Sequence, residues 1–243
     1  MKKEKEKKDF IKKPDKKFVF TGTNFSRPKV PEINPYEDVI EFMQIDVDCD
    51  TYSQLYSCQT DKYNSPVLRI YGVTAAGNSV CCLVEDFYPY FYIRFPDGIG
   101  HKDLDDLKYH FNGVLKNKRG FENAVINMEI VEKTDFKYYT PNKENFIKIT
   151  MKNPKYISTL REIIEGNENN SLKYKGCCFE YKTFESKVSF PLRYMIDNDI
   201  VGMSWITCPN ASYTLIPHNK KVSTCQIELS ISYLRVISHK PVN

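Results

Sequence analysis

The chain has 243 residues, 41% hydrophobic and 14% aromatic, with a formal net charge of +4. That length suits one or two domains and that composition can fill a core, which excludes a globally disordered chain and a peptide-sized scaffold. No apolar run approaches the ~20 residues of a membrane-spanning helix, and the charged start is unlike a secretory signal, so a soluble intracellular protein without membrane contact is expected.

The charge is unevenly placed. Residues 1–17 hold nine lysines against Glu4, Glu6, Asp9 and Asp15, a net of +5, which leaves −1 for Phe18 to Asn243. A module that grips nucleic acid through its own surface carries a basic excess; here the excess sits in an arm. The bland reading is a solvated tail, and the sharper one a nuclear-import or polyanion-contacting segment around Lys2-Lys3-Glu4-Lys5. Eight cysteines (Cys49, Cys58, Cys81, Cys82, Cys177, Cys178, Cys208, Cys225) include no C-x-x-C. The adjacent pairs would point to opposite faces of a strand, which suits small buried hydrophobes better than zinc ligands.

Residues 1–35, punctuated by Pro14, Pro28, Pro31 and Pro35, read as a flexible basic arm and an extended strap. Met43, Ile45, Val47 and Cys49 alternate with Gln44, Asp46, Asp48 and Asp50, the pattern of a half-buried strand. Apolar runs at 66–74 and 79–85 around Gly77-Asn78 predict a hairpin. Tyr90 to Phe95 reads as the next strand. Leu104, Leu107, Phe111, Val114 and Leu115 then give a helix over about 102–117. Ala124, Ile126, Met128 and Ile130 alternate as a strand, and 146–151 form another. Asn153 as N-cap, Pro154 at the first helical position, an apolar stripe of Ile157, Leu160, Ile163 and Ile164, and a stop at Gly166 define a further helix. Residues 177–183 read as one more strand, then a short helix spans about Lys187 to Ile196. In the β-rich end, Cys225, Ile227, Leu229 and Ile231 alternate with Gln226, Glu228, Ser230 and Ser232. The order over 90–183 is β-α-β-β-α-β, the split arrangement of ferredoxin-like and RNA-recognition modules, so the fold class expected is α+β.

Few residues suggest chemistry. Asp46 and Asp48 share a strand face as in a metal-dependent nuclease, but no partner motif follows. With Asp50 they mimic an EF-hand start, yet Thr51 and Ser57 stand where Gly and Glu belong. They read as a solvent face. His101, His110, His218 and His239 adjoin no nucleophile elbow, and no phosphate-cradling glycine loop occurs. The aromatic group Phe87, Tyr88, Tyr90, Phe91, Tyr92 and Phe95 could stack bases, but 146–151 lacks the signature of an RNA-recognition strand, and core packing is the simpler reading. Tyr90, Tyr92 and the lone Trp205 are therefore expected in the core.

Several segments together resemble one family. They are Phe42-Met43-Gln44-Ile45-Asp46-Val47-Asp48, Pro66 to Thr74, Gly77 to Cys82, Pro89 to Tyr92, Ile149 to Pro154, Glu185-Ser186, Pro191 to Trp205, Lys221 to Glu228 and Ser238-His239. In unbroken order from about Ser26 to His239, they are similar to the N-terminal domain of the catalytic subunit of eukaryotic DNA polymerase delta, a family B replicative polymerase. The polymerase motifs D-x-x-S-L-Y-P and Y-G-D-T-D are missing. Nor does the D-I-E of the exonuclease follow Ser238-His239-Lys240-Pro241. None of the family's catalytic carboxylates carries over onto a position here, and the resemblance aligns Asp46 and Asp48 with an N-terminal strand.

What the resemblance implies is a nuclear, non-catalytic segment, inactive alone, that packs against the exonuclease domain and lines the single-stranded template path. It implies a β-rich OB-like part from 36–88 with 186–243, and a βαββαβ part at 89–185. The loop with Asn219, Lys220 and Lys221 would then face single strand, with a plain surface turn as the bland alternative. No cofactor is expected in this segment; the family's Mg2+ and iron–sulfur cluster belong to parts absent here. Partners implied are the rest of the catalytic subunit and, weakly, template DNA. The alternative is a free-standing single-strand-binding or adaptor protein derived from the same domain.

Overall fold

The computed structural model describes residues 27–51, 65–96, 100–119, 121–134, 142–166, 173–174, 177–178 and 182–239. The lysine-rich arm, Cys58 and residues 179–181 of the expected strand lie outside them. The chain is a mixed α+β protein with thirteen strands among the described residues: β1 (Ile40–Thr51), β2 (Pro66–Val73), β3 (Ser79–Glu85), β4 (Tyr90–Arg94), β5 (Val125–Thr134), β6 (Lys143–Met151), β7 (Lys173–Tyr174), β8 (Cys177–Cys178), β9 (Thr183–Phe184), β10 (Trp205–Cys208), β11 (Tyr213–Leu215), β12 (Ile227–Ser232) and β13 (Ile237–His239). Three helices interrupt them: α1 (Leu104–Arg119), α2 (Pro154–Glu165) and α3 (Phe190–Asp197). None is long and apolar enough to cross a membrane.

A four-stranded antiparallel sheet has the order β5-β6-β4-β9. One face buries Phe91, Ile93, Ile147 and Ile149 against Leu107, Phe111 and Leu115 of α1 and Ile157, Leu160, Ile163 and Ile164 of α2. The α2 signals work as read: Asn153 accepts a hydrogen bond from the Lys155 N–H at 2.9 Å, and Pro154 opens the helix. Gly166 ends it at φ −86, so its role is not left-handed geometry. A Cβ there would lie 2.7 Å from the Glu162 carbonyl oxygen, closer than side chains tolerate.

The other sheet has seven strands in the order β11-β12-β3-β2-β1-β10-β13, with β12 and β3 parallel. It draws strands from both ends of the sequence around the four-stranded unit. Its inner face buries Phe42, Leu68, Ile70, Val84, Ile206 and Leu229 against Phe190 and Tyr194 of α3. The sheet curls. Cys82 of β3 and Cys208 of β10 stand three strand spacings apart, about 14 Å in a flat sheet, yet their sulfurs are 3.9 Å apart. The β2–β3 turn has Gly77 at φ +87, where a Cβ is disfavoured.

Two strands depart from the alternation expected of them, for one reason. In β1 the inward residues are first Ile40, Phe42 and Gln44; a bulge between Gln44 and Asp46 then shifts the phase, so Val47 and Cys49 face the core. Ile45, expected inside, is 54% exposed. In β5 a bulge between Val125 and Asn127 turns Ile126 outward in the same way. An extra residue in one strand offsets a period of two by one.

Trp205 takes the other face of its strand from the core residue Ile206. It is half-buried on the outer face, opposite Met43 of β1, while its neighbour Ile206 fills the core. Tyr90 is also half-buried, and Tyr92 is buried on the sheet face turned away from α1 and α2.

Candidate functional site

The carboxylates of β1 are occupied. Asp46, Asp48 and Asp50 lie on the outer face opposite Tyr71, Arg69 and Val67 of β2. Arg69 grips Asp48 with both Nε and Nη2, at 2.7 and 2.8 Å, and its Nη1 is 3.7 Å from Asp50. Asp46 and Asp50 each also accept the N–H of the next residue. The hydrogen bond to Asp48 leads in holding the Arg69 guanidinium above its ordinary value. No group of three His, Cys, Asp or Glu among the described residues is arranged to hold a metal ion.

The 216–225 loop roofs part of that outer face. Ile216, Val222 and Cys225 pack on Val67, Cys81 and Leu83 of β2 and β3. Glu228, read from sequence as a solvent-facing strand residue, is only 1% exposed; its carboxylate accepts the N–H groups of Val222 and Ser223, at 2.8 and 2.9 Å, and the Ser223 hydroxyl. Lys221 donates to the carbonyls of Cys225 at 3.2 Å and Gln226 at 2.6 Å. Its ammonium thus holds the roof in place, and of the Lys220–Lys221 pair only Lys220 is exposed. Beneath the roof, burial pushes the Cys81 thiol up to about 12.

A third cluster joins the two sheets. Arg193 of α3, buried, donates to the Glu185 carboxylate at 2.7 Å and stacks over the Tyr90 ring at 4.7 Å. The Tyr90 hydroxyl donates to Asp197 at 2.7 Å. Burial first, then that hydrogen bond, push the Tyr90 phenol well above its ordinary value. Burial acts to lower Arg193, but Tyr90, Glu185 and Asp197 outweigh it and leave the guanidinium raised. Beside them lies a cleft of about 340 Å3 lined by Asp86, Tyr88, Tyr90, Glu129, Lys148 and Tyr233, among others. Asp86 and Glu185 both carry left-handed backbone, φ 66 and 58, uncommon for a non-glycine residue although aspartate adopts it more readily than most.

This face is poorly suited to stacking bases. Lys148 and Arg193 cover the Tyr90 ring, Lys133 the Tyr92 ring and Lys182 the Phe184 ring. Lys148 and Arg193 are themselves paired, with Glu129 and Glu185. Tyr90 and Tyr92 meet edge to face at 5.6 Å. They do not converge with Lys220, Lys221 or Trp205, which stand on the other sheet or its roof loop. Sequence reasoning assigned no role to Arg193, Glu185, Asp197 or Glu228, because the Arg193–Glu185 ion pair, the Tyr90–Asp197 hydrogen bond and the hydrogen bonds from Val222 and Ser223 to Glu228 leave no recognisable motif.

Comparison with known proteins gives these features a family. The family described as DNA polymerase delta catalytic subunit-like, N-terminal domain, matches residues 86–158, and that described as DNA polymerase family B, exonuclease domain, matches 181–243. A solved family B DNA polymerase from the archaeon Pyrobaculum calidifontis superposes with a TM-score of 0.56 at 18% identity, over 83% of this chain and 21% of that one. The fold is thus that of a segment of a family B polymerase. DNA polymerase delta catalytic subunits are similar in sequence: that of Dictyostelium discoideum is 35% identical over 88% of this chain, and that of Schizosaccharomyces pombe 36% over 88%. The chain is thus homologous to the N-terminal region of DNA polymerase delta catalytic subunits. It spans about a fifth of the length of the relatives it matches (20% and 18%).

Proposed function

We propose that the chain serves as the non-catalytic N-terminal segment of a delta-type replicative DNA polymerase. In this reading it works in the nucleus, packs against the exonuclease domain and borders the path of the unpaired template strand. The seven-stranded sheet carries the reading. Strands β10 and β12, within the stretch similar to the exonuclease-domain family, are hydrogen-bonded to β1 and β3 from the opposite end of the chain. One sheet therefore ties the N-terminal segment to the beginning of the exonuclease region.

The strand order β5-β6-β4-β9, with both long helices on one face, supports a ferredoxin-like, RNA-recognition-like assignment for that unit. The curled sheet from 36–88 and 186–243 is assigned to the OB-like part. Lys220 remains as a template contact in this reading, and Lys221 supports its loop. The segment supplies shape, and the chemistry is left to longer polymerase chains.

An exchange experiment tests this. The matching region of the Dictyostelium catalytic subunit is replaced by this chain, and primer extension is measured beside the chain alone. Extension by the chimera and none by the isolated chain is the expected result. A soluble, folded chimera without extension, or magnesium-dependent incorporation by the purified chain alone, would overturn the proposal.

A further inference from the structure

The curl of the seven-stranded sheet brings two thiols together inside it. Cys82 lies in the middle of β3, flanked by Ile70 of β2 and Leu229 of β12. Cys208 is the last residue of β10. Both are fully buried free cysteines, 126 positions apart in sequence, with their sulfurs 3.9 Å from each other. A disulfide bond needs about 2.0 Å, so each sulfur has only about 1 Å to travel, within the reach of a side-chain rotation.

A third group stands beside them. The Tyr194 hydroxyl of α3 is buried without a hydrogen-bond partner. Burial, and after it Cys82 and Cys208, hold that phenol above its ordinary value, so the two sulfurs are its electrostatic neighbours. A buried donor left unpaired is costly, and an oxygen added to either sulfur would offer it an acceptor. The two cysteines also differ in how firmly they are held. Cys82 is laddered on both sides, whereas Cys208 faces Ile40, the first residue of β1, and lies one residue beyond the stretch of β10 that pairs with β13. Fraying at that end exposes Cys208 first.

We infer that Cys82 and Cys208 form an oxidisable dithiol, a covalent modification site at which a peroxide-class oxidant closes the curled sheet with a disulfide bond. The inference is independent of the polymerase reading. In the first step the Cys208 sulfur takes one oxygen of the peroxide. The O–O bond breaks, and a sulfenic acid and a water form. The Cys82 sulfur then displaces that oxygen: the S–S bond forms, the S–O bond breaks, and the Cys82 proton leaves with the oxygen as a second water. The pair loses two electrons and two protons, and the peroxide gains them. Burial pushes the Cys82 thiol well above its ordinary value, so it stays protonated until its partner has reacted. The product staples β3 to β10 and closes a loop that contains the whole four-stranded unit.

Peptide mapping tests this. The full chain is treated with hydrogen peroxide, then unfolded, alkylated and digested. The expected product is a linkage between the Cys82 and Cys208 peptides, two hydrogens lighter than their sum and separated by dithiothreitol. A Cys81→Ala chain assigns the bond to Cys82 rather than to its neighbour. The linked chain should melt about 5 °C or more above the reduced one, because the cross-link restrains a long loop in the unfolded state. Cys208→Ala and, independently, Cys82→Ala remove both the linkage and the rise. Cys82 and Cys208 still open to alkylation after the other cysteines have been oxidised, a first linkage between Cys81 and Cys225, or a linked chain that melts no higher than the reduced one overturns the inference.

Discussion

Trp205 and Phe42 lie on neighbouring strands and face opposite ways. Phe42 is fully buried, whereas Trp205 keeps part of its surface in water. Phe42→Ala should therefore cost ~3–5 kcal/mol, the range for a large core side chain, and Trp205→Ala about half that or less. Thermal or denaturant melts of both variants check this, and equal losses would place Trp205 in the core after all. Cys81 gives a pH signature. Its thiol is pushed by burial from an ordinary 9.0 up to about 12, so the folded state holds the proton more tightly than the unfolded state. Its contribution is complete below about pH 9 and is lost as pH rises through the folded value. Tyr71, pushed by burial up to about 12, acts in the same direction. The melting temperature should fall as pH rises from about 9 towards 12, and Cys81→Ala should lessen the fall.

At the scale of elements, the bulges separate residues that look alike in sequence. Ile126 is 38% exposed at its bulge and Ile147 is fully buried on the next strand. Ile126→Ser should change stability by about 0.5 kcal/mol or less, and Ile147→Ser by ~3 kcal/mol or more, measured in urea. Helix α2 was legible because Asn153, Pro154 and the Ile157-Leu160-Ile164 stripe signal locally and agree. The hairpin at Gly77 was legible for the same reason. The faces of β1 and β5 were not, since an alternating run contains nothing that announces an extra residue. Which face Trp205 takes was not legible, because Trp205 and Ile206 are both large and apolar and give the strand no phase to read. Lys221 looked like a loop cation because its partners are backbone carbonyls, invisible in composition.

For the whole molecule, the charge distribution governs contact with nucleic acid. From Phe18 onward the net charge is −1, and Arg94 and Lys148 of the four-stranded sheet, like Arg193 of α3, are already paired with carboxylates. The isolated chain should bind single-stranded DNA with a dissociation constant of ~10 µM or weaker at physiological salt. The nine lysines of residues 1–17 should supply most of that binding and make it steeply salt-sensitive. Fluorescence anisotropy with residues 18–243 decides this: tight, salt-resistant binding there would point to a true single-strand site on the folded body.

The parallel pairing of β12 with β3 joins Ile227 to Val80 across the entire four-stranded unit. A ribosome must therefore have released more than two hundred residues before that ladder can form, whereas β4, β5 and β6 find one another within about sixty. Closing the longer loop carries the larger entropic delay. The chain should mature from its middle outward, with β2 and β3 waiting as an unfinished, apolar ledge that invites chaperone binding. Pulse-labelled hydrogen exchange during refolding should find the amides of β4 and β6 protected before those of β12. A substitution that slows only this last closure would lower cellular yield while leaving the melting temperature of the finished protein unchanged.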